Sequence, residues 1–99
     1  MSKTYVTVVA EITAKPGSEE ELKNVLLSVV DSVRKEEGCI QYDLHVNNNE
    51  PGKFLFYENW ESPEALQKHS TADHMKAMGA KAMHLVGGPS KIVTYTRIG

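Results

Sequence analysis

The run Phe54-Leu55-Phe56-Tyr57-Glu58-Asn59-Trp60 constrains the fold more than any other stretch of the chain. It contains both phenylalanines and the single tryptophan. Aromatic side chains fit a pleated, half-buried surface, so the run reads as a strand. Side chains alternate along a strand, which puts Phe54, Phe56, Glu58 and Trp60 on one face and Leu55, Tyr57 and Asn59 on the other. Neither face is polar enough to lie wholly in water. The run is therefore expected at the centre of a sheet, with one carboxylate, Glu58, set among aromatic rings.

The rest of the chain supplies neighbours for such a strand. Residues 3–14 alternate as well, with Val6, Val8, Ala10 and Ile12 on one face and Tyr5, Thr7, Val9 and Glu11 on the other. Lys15-Pro16-Gly17 stops that strand. Ser18 and Glu21 have the spacing of a capping box and open a helix with a stripe at Leu22, Val25, Leu26, Val29, Val30 and Val33. Gly38 suits the far end of that helix. A second alternating run, Cys39–Val46, puts Ile40, Tyr42, Leu44 and Val46 opposite Gln41, Asp43 and His45. The Asn-, Pro- and Gly-rich segment 47–52 makes it a hairpin with the aromatic strand. Ser62-Pro63 starts a short helix with Ala65, Leu66 and His69 on its inner side. Thr71 is the expected cap of a further helix to about His84, with an inward stripe of Met75, Met78, Gly79, Ala82, Met83 and Val86. Gly87-Gly88-Pro89 ends it, and residues 91–98 form a last strand.

This order, strand–helix–strand–strand–helix–strand, predicts an α+β ferredoxin-like split βαβ domain: a four-stranded antiparallel sheet with helices on one face. One domain over 1–99 accommodates all of it. Strands 3–14 and 53–60 are apolar on both faces, so the bare side of the sheet needs a cover. A second copy packed by two-fold symmetry is the simplest one, giving a homodimer with a dimeric α+β barrel.

Composition removes several classes of function. The net charge is −2 with mixed signs, which gives no basic surface for nucleic acid or anionic membrane. Cys39 is the only cysteine, so neither an internal disulfide nor a thiolate cluster is available. No apolar run reaches spanning length and no signal-peptide core opens the chain, so a soluble, cytoplasmic protein is expected. The histidines show no HxH, HxxxH or HExxH spacing, and no metal site is expected.

What remains is a small-molecule pocket. Glu58 at the end of the aromatic strand and His69 on the inner side of the next helix form a candidate carboxylate–imidazole pair, usable as a general base near neutral pH. Phe56 and Trp60 offer flat walls and Met78, in its Met-rich helix, an adaptable one. Tyr42, His45 and His74 are further polar candidates. The same residues have plainer uses: Trp60 as a core anchor, His69 as a satisfied structural histidine, His74 serving a helix terminus.

Lys35-Glu36-Glu37-Gly38-Cys39, Tyr42-Asp43, Phe54-x-Phe56-x-Glu58-x-Trp60-Glu61-Ser62, Ala65-Leu66-x-x-His69 and His74-Met75-Lys76-Ala77 together resemble the antibiotic biosynthesis monooxygenase (ABM) family, above all its small quinol-monooxygenase-like members. The resemblance implies a ferredoxin-like dimer and a cofactor-independent monooxygenase that oxidises a quinol or hydroxylated aromatic with O₂. It implies His69 as the base, oriented by Glu58. Haem-degrading relatives are a poorer match, because Ala10, His69 and Gly79 stand where their working residues are expected. Two alternatives stay open: an isomerase of a phosphorylated signal molecule on the same fold, and a non-catalytic dimeric module that binds a small ligand.

Overall fold

A computed structural model describes residues 5–99. The elements are β1 (Val6–Thr13), α1 (Glu19–Leu27), α2 (Val30–Arg34), β2 (Cys39–Val46), β3 (Lys53–Trp60), α3 (Pro63–Ser70), α4 (Asp73–Ala82) and β4 (Lys91–Thr96). Positions 3 and 4 of the predicted first strand lie outside the described residues. The strands form one antiparallel sheet in the order β2-β3-β1-β4. This is the ferredoxin-like α+β arrangement, and the two strands with apolar residues on both faces are its two central ones.

The register decides which side chains meet. Ile12 lies opposite Phe54, Ala10 opposite Phe56, Val8 opposite Glu58 and Val6 opposite Trp60. On the other side of β3, Tyr42 lies opposite Glu58 and Leu44 opposite Phe56. Phe54, Phe56, Glu58 and Trp60 are all buried, and they pack beneath the helices with Leu22, Leu26, Val33 and Ala65. The opposite sheet face is half-open and carries Val9, Leu55, Tyr57, Val93 and Tyr95.

Local chemistry departs from expectation in several places. The first helix is interrupted: the Ser28 hydroxyl bonds back to the Val25 carbonyl at 2.6 Å, and α2 restarts at Val30. Ser18 makes no side-chain cap, because its backbone (φ −109°, ψ 10°) is not the extended one that aims a hydroxyl at the helix. The Glu19 carboxylate instead accepts from the Gly17 amide at 3.0 Å. Thr71 does not cap α4. Its hydroxyl closes α3 by bonding the Gln67 and Lys68 carbonyls, and Ala72 precedes α4. Met83 falls outside the inward stripe at 73% exposed, and Leu85, beyond the helix end, is buried in its place. A bulge between Cys39 and Gln41 leaves Ile40 without a partner, so it turns to the open face beside Gln41 and Asn59. The hairpin segment and Ser62 behave as expected: the Asn47 side chain accepts from the Asn49 and Glu50 amides, and Ser62 accepts from the Ala65 amide at 3.1 Å with Pro63 at the first helical position.

Candidate active site

Three backbone devices converge on one buried cluster. The Ser62 cap and Pro63 fix the start of α3, which brings His69 inward on its last turn. Strand alternation points Glu58 to the same side. The third device is the turn at 36–39. Gly38 has a positive φ of 85°, the Cys39 amide bonds the Glu36 carbonyl, and the Glu61 amide bonds the Gly38 carbonyl. A Cβ on Gly38 would stand 2.5 Å from the Ala65 Cβ, so glycine is what lets this turn sit against α3. The turn delivers Glu36 to His69.

Glu36 is the residue that sequence reasoning missed. Its Oε2 accepts from His69 Nδ1 at 3.0 Å and from His74 Nε2 at 2.6 Å. An ionised carboxylate can only accept, so a neutral His69 carries its proton on Nδ1 and leaves the Nε2 lone pair free. That Nε2 lies 3.9 Å from Glu58 Oε1, within ion-pair reach but beyond a hydrogen bond. Glu58 Oε1 is already held by the Trp60 indole N–H at 2.9 Å. The structure thus brings Glu58 and His69 together as expected but gives the orienting contact to Glu36. A signal was present: Glu36 and Glu37 follow a helix C-terminus, where the dipole disfavours acids, so one of them needs another partner.

The cluster closes one end of a cavity of about 260 Å³. Phe56, Tyr42, Met75 and Met78 form apolar walls, and Glu58 and His69 are its ionisable ends together with the Tyr42 phenol. Tyr42 stacks on Phe56 with ring centroids 4.7 Å apart. Burial raises the Glu58 pKa above the usual carboxylate range; the Trp60 hydrogen bond and the nearby His69 pull against that shift, and Glu36 adds to it. Burial, helped by Glu58 and Glu36, also pushes the Tyr42 phenol far up, so it stays a neutral hydroxyl.

The other candidates are placed as follows. Trp60 is fully buried and does not line the cavity; its indole packs against the His69 ring with centroids 4.5 Å apart. His74 does not line this cavity; it is partly exposed, lines a separate small one with Ser32 and Lys81, and bonds Glu36 of the cluster. Met78 lines the cavity, and His45 does not: it is exposed near the hairpin end with Val46 and Pro51. Among the described residues no three acids, histidines or cysteines are disposed to hold a metal ion. Both His69 and His74 spend a nitrogen on one oxygen of Glu36.

A ferredoxin-like domain with an apolar cavity ended by a buried imidazole between two carboxylates is the class that fold and site define. Residues 5–81 match the model of the antibiotic biosynthesis monooxygenase family, and the chain belongs to that family. It is 33% identical to "Probable quinol monooxygenase YgiN" of Escherichia coli, over 73% of this chain and 79% of that protein. It is 29% identical to the uncharacterized protein sll1783 of Synechocystis over 91% of this chain, and spans 61% of that protein's length. The crystal structure of PA3566 from Pseudomonas aeruginosa superposes with a TM-score of 0.91 at 33% identity, covering 97% of this chain and 96% of that one. No helix among the described residues is long and apolar enough to cross a membrane.

Proposed function

We propose that the protein is a cofactor-independent monooxygenase that oxidises a quinol or other hydroxylated aromatic with O₂, and that His69 is its general base. The observation that carries this reading is the free Nε2 of His69, fixed by the Glu36 bond to Nδ1 and facing an apolar cavity. The base takes the phenolic proton. The phenolate gives one electron to O₂, and the resulting radical and superoxide join at an open ring carbon. The peroxide takes the proton back from His69. Loss of the ring C–H proton and cleavage of the O–O bond release water and leave a quinone. Phenol plus O₂ thus becomes quinone plus water, with all the electrons supplied by the substrate.

Phe56, Tyr42 and Met78 hold the ring and exclude water, which keeps the phenolate reactive. Glu58, its acid raised by burial, places a proton donor or acceptor beside the same oxygen. The half-open sheet face, with Tyr57 and Tyr95 at 37% and 53% exposure, supports a homodimer formed by packing two such faces. The test is oxygen uptake by the purified protein with a reduced quinone, compared with His69→Gln and with an anaerobic control. O₂ consumption lost in the variant is expected; unchanged consumption overturns the assignment, and turnover that persists without O₂ indicates proton transfer alone.

A further inference from the structure

The Glu36–His74 arm has no task in the reaction just described, yet it is the most tightly bonded part of the cluster. One oxygen, Glu36 Oε2, accepts from both imidazoles. Side-chain exposure rises along the chain of contacts, from 6% at His69 through 14% at Glu36 to 34% at His74. His74 is therefore the end that meets solvent, and His69 the end that meets the cavity.

We propose that His74 is a positioning residue that balances charge for His69: the two rings share one carboxylate oxygen, take up and release protons as a coupled unit, and exchange the balancing proton with solvent at His74. Charge on one ring neutralises the carboxylate that would have favoured charge on the other, and adds a like charge two hydrogen bonds away. One Glu36 thus stabilises one imidazolium at a time. The consequence for turnover rests on His69 being the base. As His69 Nε2 accepts the substrate proton, His74 releases one from Nδ1 to water, and it takes one back when His69 returns its proton to the peroxide, so Glu36 faces a single positive ring throughout.

The other titratable groups around the pair are few. β3 contributes Glu58, β2 contributes Tyr42 and Cys39, and α4 contributes Lys81, which lines the small cavity beside His74. The α1–α2 side of that cavity offers only Ser28, Val29 and Ser32. Glu58 touches only the His69 end, so it cannot supply the coupling.

The test is ring ¹⁵N NMR of the full chain across pH, which needs no substrate. In the native protein the resonances of His69 and His74 follow the same two steps. His74→Gln keeps an N–H donor but does not titrate, and leaves His69 with one step. Glu36→Gln gives two independent single-step curves. Independent curves in the native protein, or a His69 curve unchanged by His74→Gln, overturn the coupling whatever the outcome of oxygen uptake. Where uptake is seen, its pH profile loses one inflection in His74→Gln; a profile with both inflections intact refutes the turnover consequence.

Discussion

Trp60→Phe separates the two roles that its indole combines, filling the core and holding Glu58. Phenyl for indole removes about 40 Å³ from a fully buried site, which at about 24 cal/mol per Å³ costs roughly 1 kcal/mol. It also removes the 2.9 Å bond to Glu58 Oε1, and a hydrogen bond to a charged group contributes about 1.5–3 kcal/mol. The expected loss is about 2.5–4 kcal/mol, a large share of the roughly 5–15 kcal/mol that holds a domain of this size together. A melting-temperature drop of at least about 10 °C follows, since each kcal/mol moves Tm by about 4–8 °C.

The loss depends on pH, with a sign set by Glu58. Burial raises its folded pKa above the usual 4.5, so the carboxylate is disfavoured in the native state. Below 4.5 the group is protonated in folded and unfolded chains alike and contributes no pH dependence. As pH rises from 4.5 the unfolded chain ionises first, and the native state loses relative stability until pH passes the folded pKa. The Trp60 bond opposes that shift, so removing it raises the folded pKa further and carries the loss to higher pH. Urea unfolding at about pH 4 and about pH 8, run as a double-mutant cycle with Glu58→Gln, measures both effects. A larger Trp60→Phe penalty at the higher pH, and about 1 kcal/mol of coupling, is expected because glutamine accepts the same bond without the charge. Equal penalties at both pH values, or no coupling, refute the reasoning.

Two further predictions concern the frame around the site. Gly38→Ala forces a left-handed conformation that costs about 1–2 kcal/mol and drives a Cβ into Ala65, so thermal unfolding shifts down and oxygen uptake falls together with it as α3 and Glu36 separate. Val93→Arg buries a charge in the proposed sheet-to-sheet contact; light scattering after gel filtration is expected to give a monomer with an unchanged circular dichroism spectrum, and an unchanged mass refutes the proposed interface.

The fold was legible because its signals are periodic. Apolar residues on both faces of β1 and β3 identify the two central strands, and the β3 alternation puts Phe56, Glu58 and Trp60 on one buried face. The structure departs from periodicity where a single side chain or bond decides. Ser28 breaks a helix whose stripe runs on unbroken, and one extra residue, Ile40, turns a clean alternation into a bulge. At the site, periodicity could place Glu58 and His69 on facing surfaces but could not say which acid completes the imidazole. Glu36 belongs to no strand or helix, and it lies 33 positions before His69 in the chain, so no spacing rule connects them. What connects them is Gly38, whose lack of a side chain lets the turn approach α3. The acid after a helix end and the glycine two residues on are one feature read at two positions: a turn close-packed enough to carry a carboxylate into the core, and a helix end that gives that carboxylate no local reason to be there. The same reasoning explains Trp60. A buried indole needs an acceptor for its N–H, a buried carboxylate needs a donor, and β3 alternation sets the two side by side. The Glu58 carboxylate is thereby held at a fixed distance from His69 instead of closing on it, which is why the imidazole turns its other nitrogen to Glu36 and keeps Nε2 free.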